Sequence, residues 1–221
     1  ETGGTGDSDP SELTVINNTL YFSANDGTNG FELWKSDGTS SGTVMVKDIN
    51  NGTSSNPEYL TAVGSTLFFR AYDGINGWEL WKSTGYETST MMVKNIWAGG
   101  FNGLGEYPDL TAVGNTLYFG ANDGTNGDEL WKSDGTPGGT AMVKDINNAS
   151  GSSSDTGYFR AVGNTLYFDA TDGSSGHELW KSDGTSSGTM MVKDIFQGGD
   201  SNPQRVTEVN GIVYFKANDG I

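Results

Sequence analysis

The 221-residue sequence predicts an all-β fold, a β-propeller-like array of four-stranded antiparallel blades. Three observations point there. The stretch FELWKSDGTSSGTVMVKDI, beginning at Phe31, returns in variant form from Trp78, Asp128 and His177. The tryptophan of its ELW falls at Trp34, Trp81, Trp131 and Trp180, at spacings of 47, 50 and 49. Around it lie four strand-length apolar runs per period, and no window sustains a 3.6-residue pattern, so no helix is predicted.

Each element follows from the local letters. The first strand is the LTAV-type segment that starts at Leu13, Leu60, Leu110, Phe159 and Val206. A turn at GN or NN leads to the second, TLYFSA in the first copy, where Leu20, Phe22 and Ala24 alternate with Tyr21 and Ser23. The Ser23 position becomes Arg70, Gly120, Asp169 and Lys216, a variation expected of a side chain that faces water. The DG dipeptide then signals a hairpin into the third strand, FELWK, and SDGTSSGT turns the chain into the fourth, VMVKDI. One such sheet cannot cover both its faces alone, whereas neighbours stacked around an axis cover each other. A β-solenoid or an open row of small sheets is the alternative.

Residues 1–10 read as a flexible lead-in, and residues 11–221 as one repeat domain with copies at 11–57, 58–107, 108–156 and 157–203 and a partial copy at 204–221. Five first halves against four second halves predict that the natural protein continues, or that strands from elsewhere complete the fifth unit. An edge left open in this way invites another chain.

The ELWKSDGTSSGT signature followed by VKDI resembles the ELWxxDGT repeat family of large secreted or surface proteins, mostly bacterial. The likeness spans residues 11–221. Copy two departs from it, with Thr84 where the others have Asp37, Asp134 and Asp183. The resemblance implies a repeat-built extracellular module and supplies neither a catalytic site nor a ligand.

Composition narrows the partners. A net charge of −16 and a pI near 4.1 argue against nucleic acid and anionic membranes, and no apolar run is long enough to span a bilayer. There is no cysteine, hence neither a disulfide framework nor a thiolate metal site.

The framework letters have structural explanations. The tryptophans of ELW suit the wedge between blades. Glu32, Glu79, Glu129 and Glu178 stand one strand away from the Lys47-type residues, which predicts cross-strand ion pairs of small net value. The letter before ELW is different. Phe31, Trp78, Asp128 and His177 share one position beside the hairpin tip, on the face where the diverse connections between copies also emerge, and such a face carries recognition.

Candidate ligand contacts are therefore Trp78, Trp97, Phe101 and Tyr107, with Phe31 and His177 at the variable letter. Exposed rings beside Asn and Asp acceptors would make a lectin-like site. Calcium is the candidate ion, because Asp26, Asp73, Asp123 and Asp172 recur at hairpin tips, although their spacing is not that of an EF-hand and Asp-Gly suits a turn for backbone reasons alone. The GTSSG strings at 38–42 and 184–188 fit a hydrolase pattern by composition only, since they sit in hairpin turns. No carboxylate pair for glycoside cleavage is identifiable. Sequons at Asn17, Asn51 and Asn148 permit glycosylation on a suitable secretory route.

The expected function is a non-enzymatic structural or adhesive module with glycans or further copies of itself as partners. A carbohydrate-binding propeller is the alternative, and a propeller glycoside hydrolase a remote one.

Overall fold

The computed structural model describes residues 6–221, in two compact units, Glu1–Leu104 and Gly105–Ile221. Half of the expected lead-in, residues 1–5, lies outside the described residues. Within its described half, the Ser8 carbonyl accepts the Asn25 N–H at 2.9 Å, as the Ser55 carbonyl accepts that of Tyr72, so the repeat pattern is already running at Ser8.

The first unit holds two four-stranded antiparallel sheets in sequence order. One is β1 (Ser11–Ile16), β2 (Thr19–Asn25), β3 (Phe31–Ser36) and β4 (Val44–Lys47). The other is β5 (Glu58–Val63), β6 (Thr66–Tyr72), β7 (Trp78–Ser83) and β8 (Met91–Lys94). The second unit repeats the plan with β9 (Thr111–Val113), β10 (Thr116–Asn122), β11 (Asp128–Ser133) and β12 (Ala141–Lys144), then β13 (Gly157–Val162), β14 (Thr165–Thr171), β15 (His177–Ser182) and β16 (Met190–Lys193). It closes with a two-stranded sheet, β17 (Gln204–Val209) and β18 (Ile212–Lys216). Every complete sheet keeps one register, in which the second strand pairs with the third over six residues, from Leu20↔Ser36 to Asn25↔Phe31 in the first copy.

The second strand was expected to wet one face, and it does not. Ser23 and Asp169 are buried, and Arg70 is only 6% exposed. The physical reason is local: the variable letter, the first strand and the following connection close over this position, as Trp78, Glu58 and the Leu104 carbonyl do over Arg70. Only Lys216, in the two-stranded sheet, is exposed at this position.

Tryptophan does act as the wedge. Trp81 packs with Val46, Ile49 and Leu33 from the preceding sheet of its unit, and Trp180 packs with Val143, Ile146 and Leu130. Trp131 is buried as well, whereas Trp34 stays half-buried.

The DGTSSGT turn explains copy two. Asp37 folds over its own turn, accepting the Thr39 N–H and hydroxyl at 2.9 and 2.7 Å. A Cβ on Gly42 would lie 2.0 Å from Asp37 Oδ1, and Gly139 and Gly188 meet Asp134 and Asp183 in the same way. The glycine is therefore required by the aspartate. In copy two both change together: Thr84 replaces the aspartate and Ser89 the glycine. Ser89 Oγ now accepts the N–H groups of Thr84 and Tyr86, at 3.1 and 3.3 Å, over a short 3-10 turn at Glu87–Ser89.

Candidate functional site

The site is built outward from a buried glutamate. Glu32, Glu79, Glu129 and Glu178 are fully buried on the third strand. They make no ion pair with the lysines, contrary to expectation. Instead each carboxylate holds the connection that follows its sheet. Glu32 accepts Ile49 N–H at 3.0 Å, Ser55 N–H at 2.9 Å and the Ser55 hydroxyl at 2.6 Å. Glu79 accepts the N–H groups of Ile96, Trp97 and Gly103, and Glu129 accepts Ile146 N–H and the Ser154 hydroxyl. Burial raises the carboxyls of Glu32, Glu79 and Glu129 to about 7, against the opposing pull of those hydrogen bonds.

The lysines serve elsewhere. Within the first unit Lys35 donates to Gly85 O at 2.8 Å and Lys47 to Thr90 O at 3.0 Å. Lys132 and Lys144 reach Gly184 O and Thr189 O in the second unit, both at 2.8 Å. The lysines thus tie one sheet to the next through backbone carbonyls, because the glutamates are already engaged.

The same connection clamps the variable letter through its backbone. Phe31 N–H donates to Ser54 Oγ, Trp78 N–H to Asn102 Oδ1, Asp128 N–H to Ser153 Oγ and His177 N–H to Asp200 Oδ1. Their carbonyls accept N–H groups from Ser55, Leu104, Ser154 and Ser201. A backbone fixed on both sides leaves the side chain free to differ, which is why this letter varies. Hairpin tip and connection meet on one face, as expected.

Each variable letter stands beside the variable second-strand residue, so every repeat presents a different pair. In copy one, Ser23 and Phe31 line an open cavity of about 240 Å³ together with Ser11, Glu12, Asn56 and Pro57. Copy two fills the corresponding place with its own side chains. The Arg70 guanidinium carbon sits 3.8 Å from the Trp78 ring centre, its Nη1 lies 2.5 Å from Glu58, and its Nε donates to Leu104 O at 3.5 Å. Copy three has Gly120 and Asp128 beside a cavity of about 270 Å³. Copy four pairs Asp169 Oδ1 with His177 Nδ1 at 3.3 Å, and burial raises the Asp169 carboxyl to about 6, with His177 opposing.

The remaining aromatics separate into pairs. Trp97 stacks on Phe101 at 4.9 Å, leaving Phe101 54% exposed. Trp78 leans on Tyr72 at 5.9 Å. Tyr107, in the second unit, is 74% exposed at the rim of the copy-three cavity.

The hairpin-tip aspartates use their oxygens internally. Asp26 Oδ1 accepts the N–H groups of Thr28 and Asn29, and Oδ2 accepts the Asn29 amide. Asp73 and Asp123 do the same, and Asp172 holds Ser174 and Ser175. These bonds hold the Asp26 carboxyl below the usual range, and in Asp73, Asp123 and Asp172 they outweigh burial to the same effect. Among the described residues no group of three or more His, Cys, Asp or Glu side chains converges as a metal site would require. The GTSSG turn is likewise occupied with its own closure, with Gly42 N–H donating to Thr39 Oγ1.

Comparisons with known proteins settle the architecture. No family model matches the chain, and no curated protein matches it. Among solved structures, a puromycin hydrolase mutant complexed with PGG aligns with a TM-score of 0.52 at 12% identity, over 97% of this chain and 34% of that one. The fold is β-propeller-like. TolB from Acinetobacter baumannii aligns at a TM-score of 0.47 and 12% identity, over 92% of this chain and 50% of that one. The chain therefore spans a third to a half of the length of these structures, and the likeness concerns the fold alone. Among the described residues no helix is long and apolar enough to cross a membrane.

Sequence reasoning missed two features. The glutamate clamp was hidden because a repeated Glu near a repeated Lys reads as an ion pair; the repeated serine at Ser55, Ser154 and Ser201 was the available signal. The inward second-strand position was hidden because variability resembles exposure.

Proposed function

We propose that the chain is a repeat module of a larger secreted or surface protein that works by structure and adhesion, without catalysis. One observation carries this reading. The chemically capable groups that recur, namely the glutamates, the lysines of the first and third copies and the turn aspartates, are spent on holding connections, neighbouring sheets and turns. What differs between copies is gathered where connections and hairpin tips meet. A uniform frame presenting several dissimilar small sites suits multivalent attachment, in which weak contacts add through effective concentration. The resemblance to ELWxxDGT repeats supports an extracellular setting.

The test is a panel of surface polysaccharides and glycans presented to the folded chain, with products assayed alongside retention. Saturable retention without turnover supports the reading; turnover of any retained ligand contradicts it.

A second reading, a carbohydrate-binding propeller, draws on the Trp97–Phe101 stack. Its exposed Phe101 face is a platform for the apolar side of a sugar ring, and Phe101→Ala would then abolish glycan retention while leaving the fold intact.

A further inference from the structure

Copy one leaves open a place that copy two fills. Ser23 and Arg70 hold the same register, opposite Leu33 and Leu80 on the third strand and Ser11 and Glu58 on the first. In copy two the Arg70 side chain stands against the Trp78 ring and pairs with Glu58. In copy one no arginine meets the corresponding ring. Phe31 and Ser23 line an open cavity of about 240 Å³ instead.

The lining shows what this cavity can hold. Ser23 is only 2% exposed, and its hydroxyl has no hydrogen-bond partner among the described residues, a cost that a bound ligand would remove. The Asn56 side-chain amide, also in the lining, is equally without a partner among those residues. Its backbone N–H donates to Phe31 O at 3.0 Å, so ring and amide are tied together before any ligand arrives. Two carboxylates line the cavity, and both are engaged: Glu58 pairs with Arg70, and Glu12 accepts the Tyr59 N–H at 2.7 Å. No basic side chain is present to draw an anion. A cation would find the carboxylates already occupied. What stays on offer is the hydroxyls of Ser11 and Ser23, which both donate and accept, one amide and one aromatic ring. Such a set complements a neutral ring with hydroxyls around its edge and C–H groups on its faces. At about 240 Å³ the space suits a single ring of that kind.

We propose that the copy-one cavity binds one neutral sugar ring, its C–H face against Phe31 and its hydroxyls exchanging hydrogen bonds with Ser23 and Asn56. The ligand then lies where copy two keeps its own arginine. This inference rests on the adhesive reading with glycans as partners, and it names the place, the charge and the size of the group that is held.

The test is amide-resolved NMR titration of the full chain with the methyl glycosides of glucose, galactose and mannose. Methyl glucuronide and methyl glucosaminide serve as the anionic and cationic counterparts, and lactose and maltose as the extended arm. The expected result is saturable shifts centred on Ser23, Phe31 and Asn56 with at least one neutral glycoside, none with the glucuronide, and no tighter binding of the glucosaminide. A disaccharide bound more tightly than its methyl glycoside assigns the source to a glycan chain; equal or weaker binding assigns it to a lone ring. Ser23→Ala should weaken binding at least fivefold without loss of stability, because the hydroxyl it removes has no partner in the free protein. Phe31→Ala should abolish binding. Affinity unchanged by Ser23→Ala would overturn the proposal, as would a glucosaminide several-fold tighter than every neutral sugar. Shifts centred on Trp97 and Phe101 instead, or retention on polysaccharides with no shift at the copy-one residues, would overturn this inference and leave the adhesive reading standing. Neither retention nor shifts would overturn both.

Discussion

Replacing Glu79 by glutamine isolates the buried carboxylate on which the connection after the second sheet depends. In the folded chain this carboxyl is raised to about 7 from its ordinary 4.5. The native state therefore holds an extra proton between those two values. Its contribution to stability is complete below about pH 4.5 and is lost as the pH rises through 7. Glutamine resembles the protonated acid in shape and neutrality but does not titrate. The stability of Glu79→Gln relative to the parent should thus swing in favour of glutamine by about 3 kcal/mol between pH 4.5 and 8, from a shift of about 2.5 units at 1.36 kcal/mol each. Urea titrations of both proteins, read by tryptophan fluorescence at half-unit pH steps, measure the difference directly. A flat difference across this range, or a swing toward glutamate, would refute the view that desolvation dominates over the three backbone donors.

Further outcomes follow from the same geometry. Gly42→Ala should destabilise the first turn. The double change Asp37→Thr with Gly42→Ser, which writes copy two's solution into copy one, should recover most of the loss, giving a coupling of about 1–2 kcal/mol in a double-mutant cycle. Lys35→Ala should cost about 1–2 kcal/mol because it removes a bond from a charged donor to Gly85 O, whereas Lys181→Ala, whose side chain makes no hydrogen bond among the described residues, should stay within about 0.5 kcal/mol in the same urea assay. Chelator should leave the melting temperature unchanged, since the hairpin-tip aspartates already satisfy their own loops. A calcium ion held at a hundred times its dissociation constant would instead add about 2.7 kcal/mol, which calorimetry would register.

Much of this architecture was legible from sequence because a repeat writes its rules several times. Strand order, the hairpin at DG and the wedge role of Trp81 all follow from recurring letters whose physics is local. The Asp37–Gly42 dependence was also present in the letters, since Thr84 and Ser89 change together, but its cause needed the 2.0 Å approach. Long-range partners were harder. Glu32 is 23 residues from Ser55, and nothing within one strand distinguishes a carboxylate waiting for backbone donors from one waiting for lysine. The Ser23, Arg70, Gly120, Asp169 series misled for a different reason. Variation signals freedom from a common role, and here that freedom lies beneath the connections between copies rather than on a solvated strand face.

The most direct test of the central claim is adhesion by a chain whose four variable letters, Phe31, Trp78, Asp128 and His177, are all replaced by serine. Retention on the surface polysaccharides that hold the parent would be measured together with the melting curve. The account predicts a folded protein, its backbone clamps intact, that no longer adheres. Undiminished adhesion by the serine-faced chain would contradict it, and so would collapse of the fold, since these side chains would then belong to the frame.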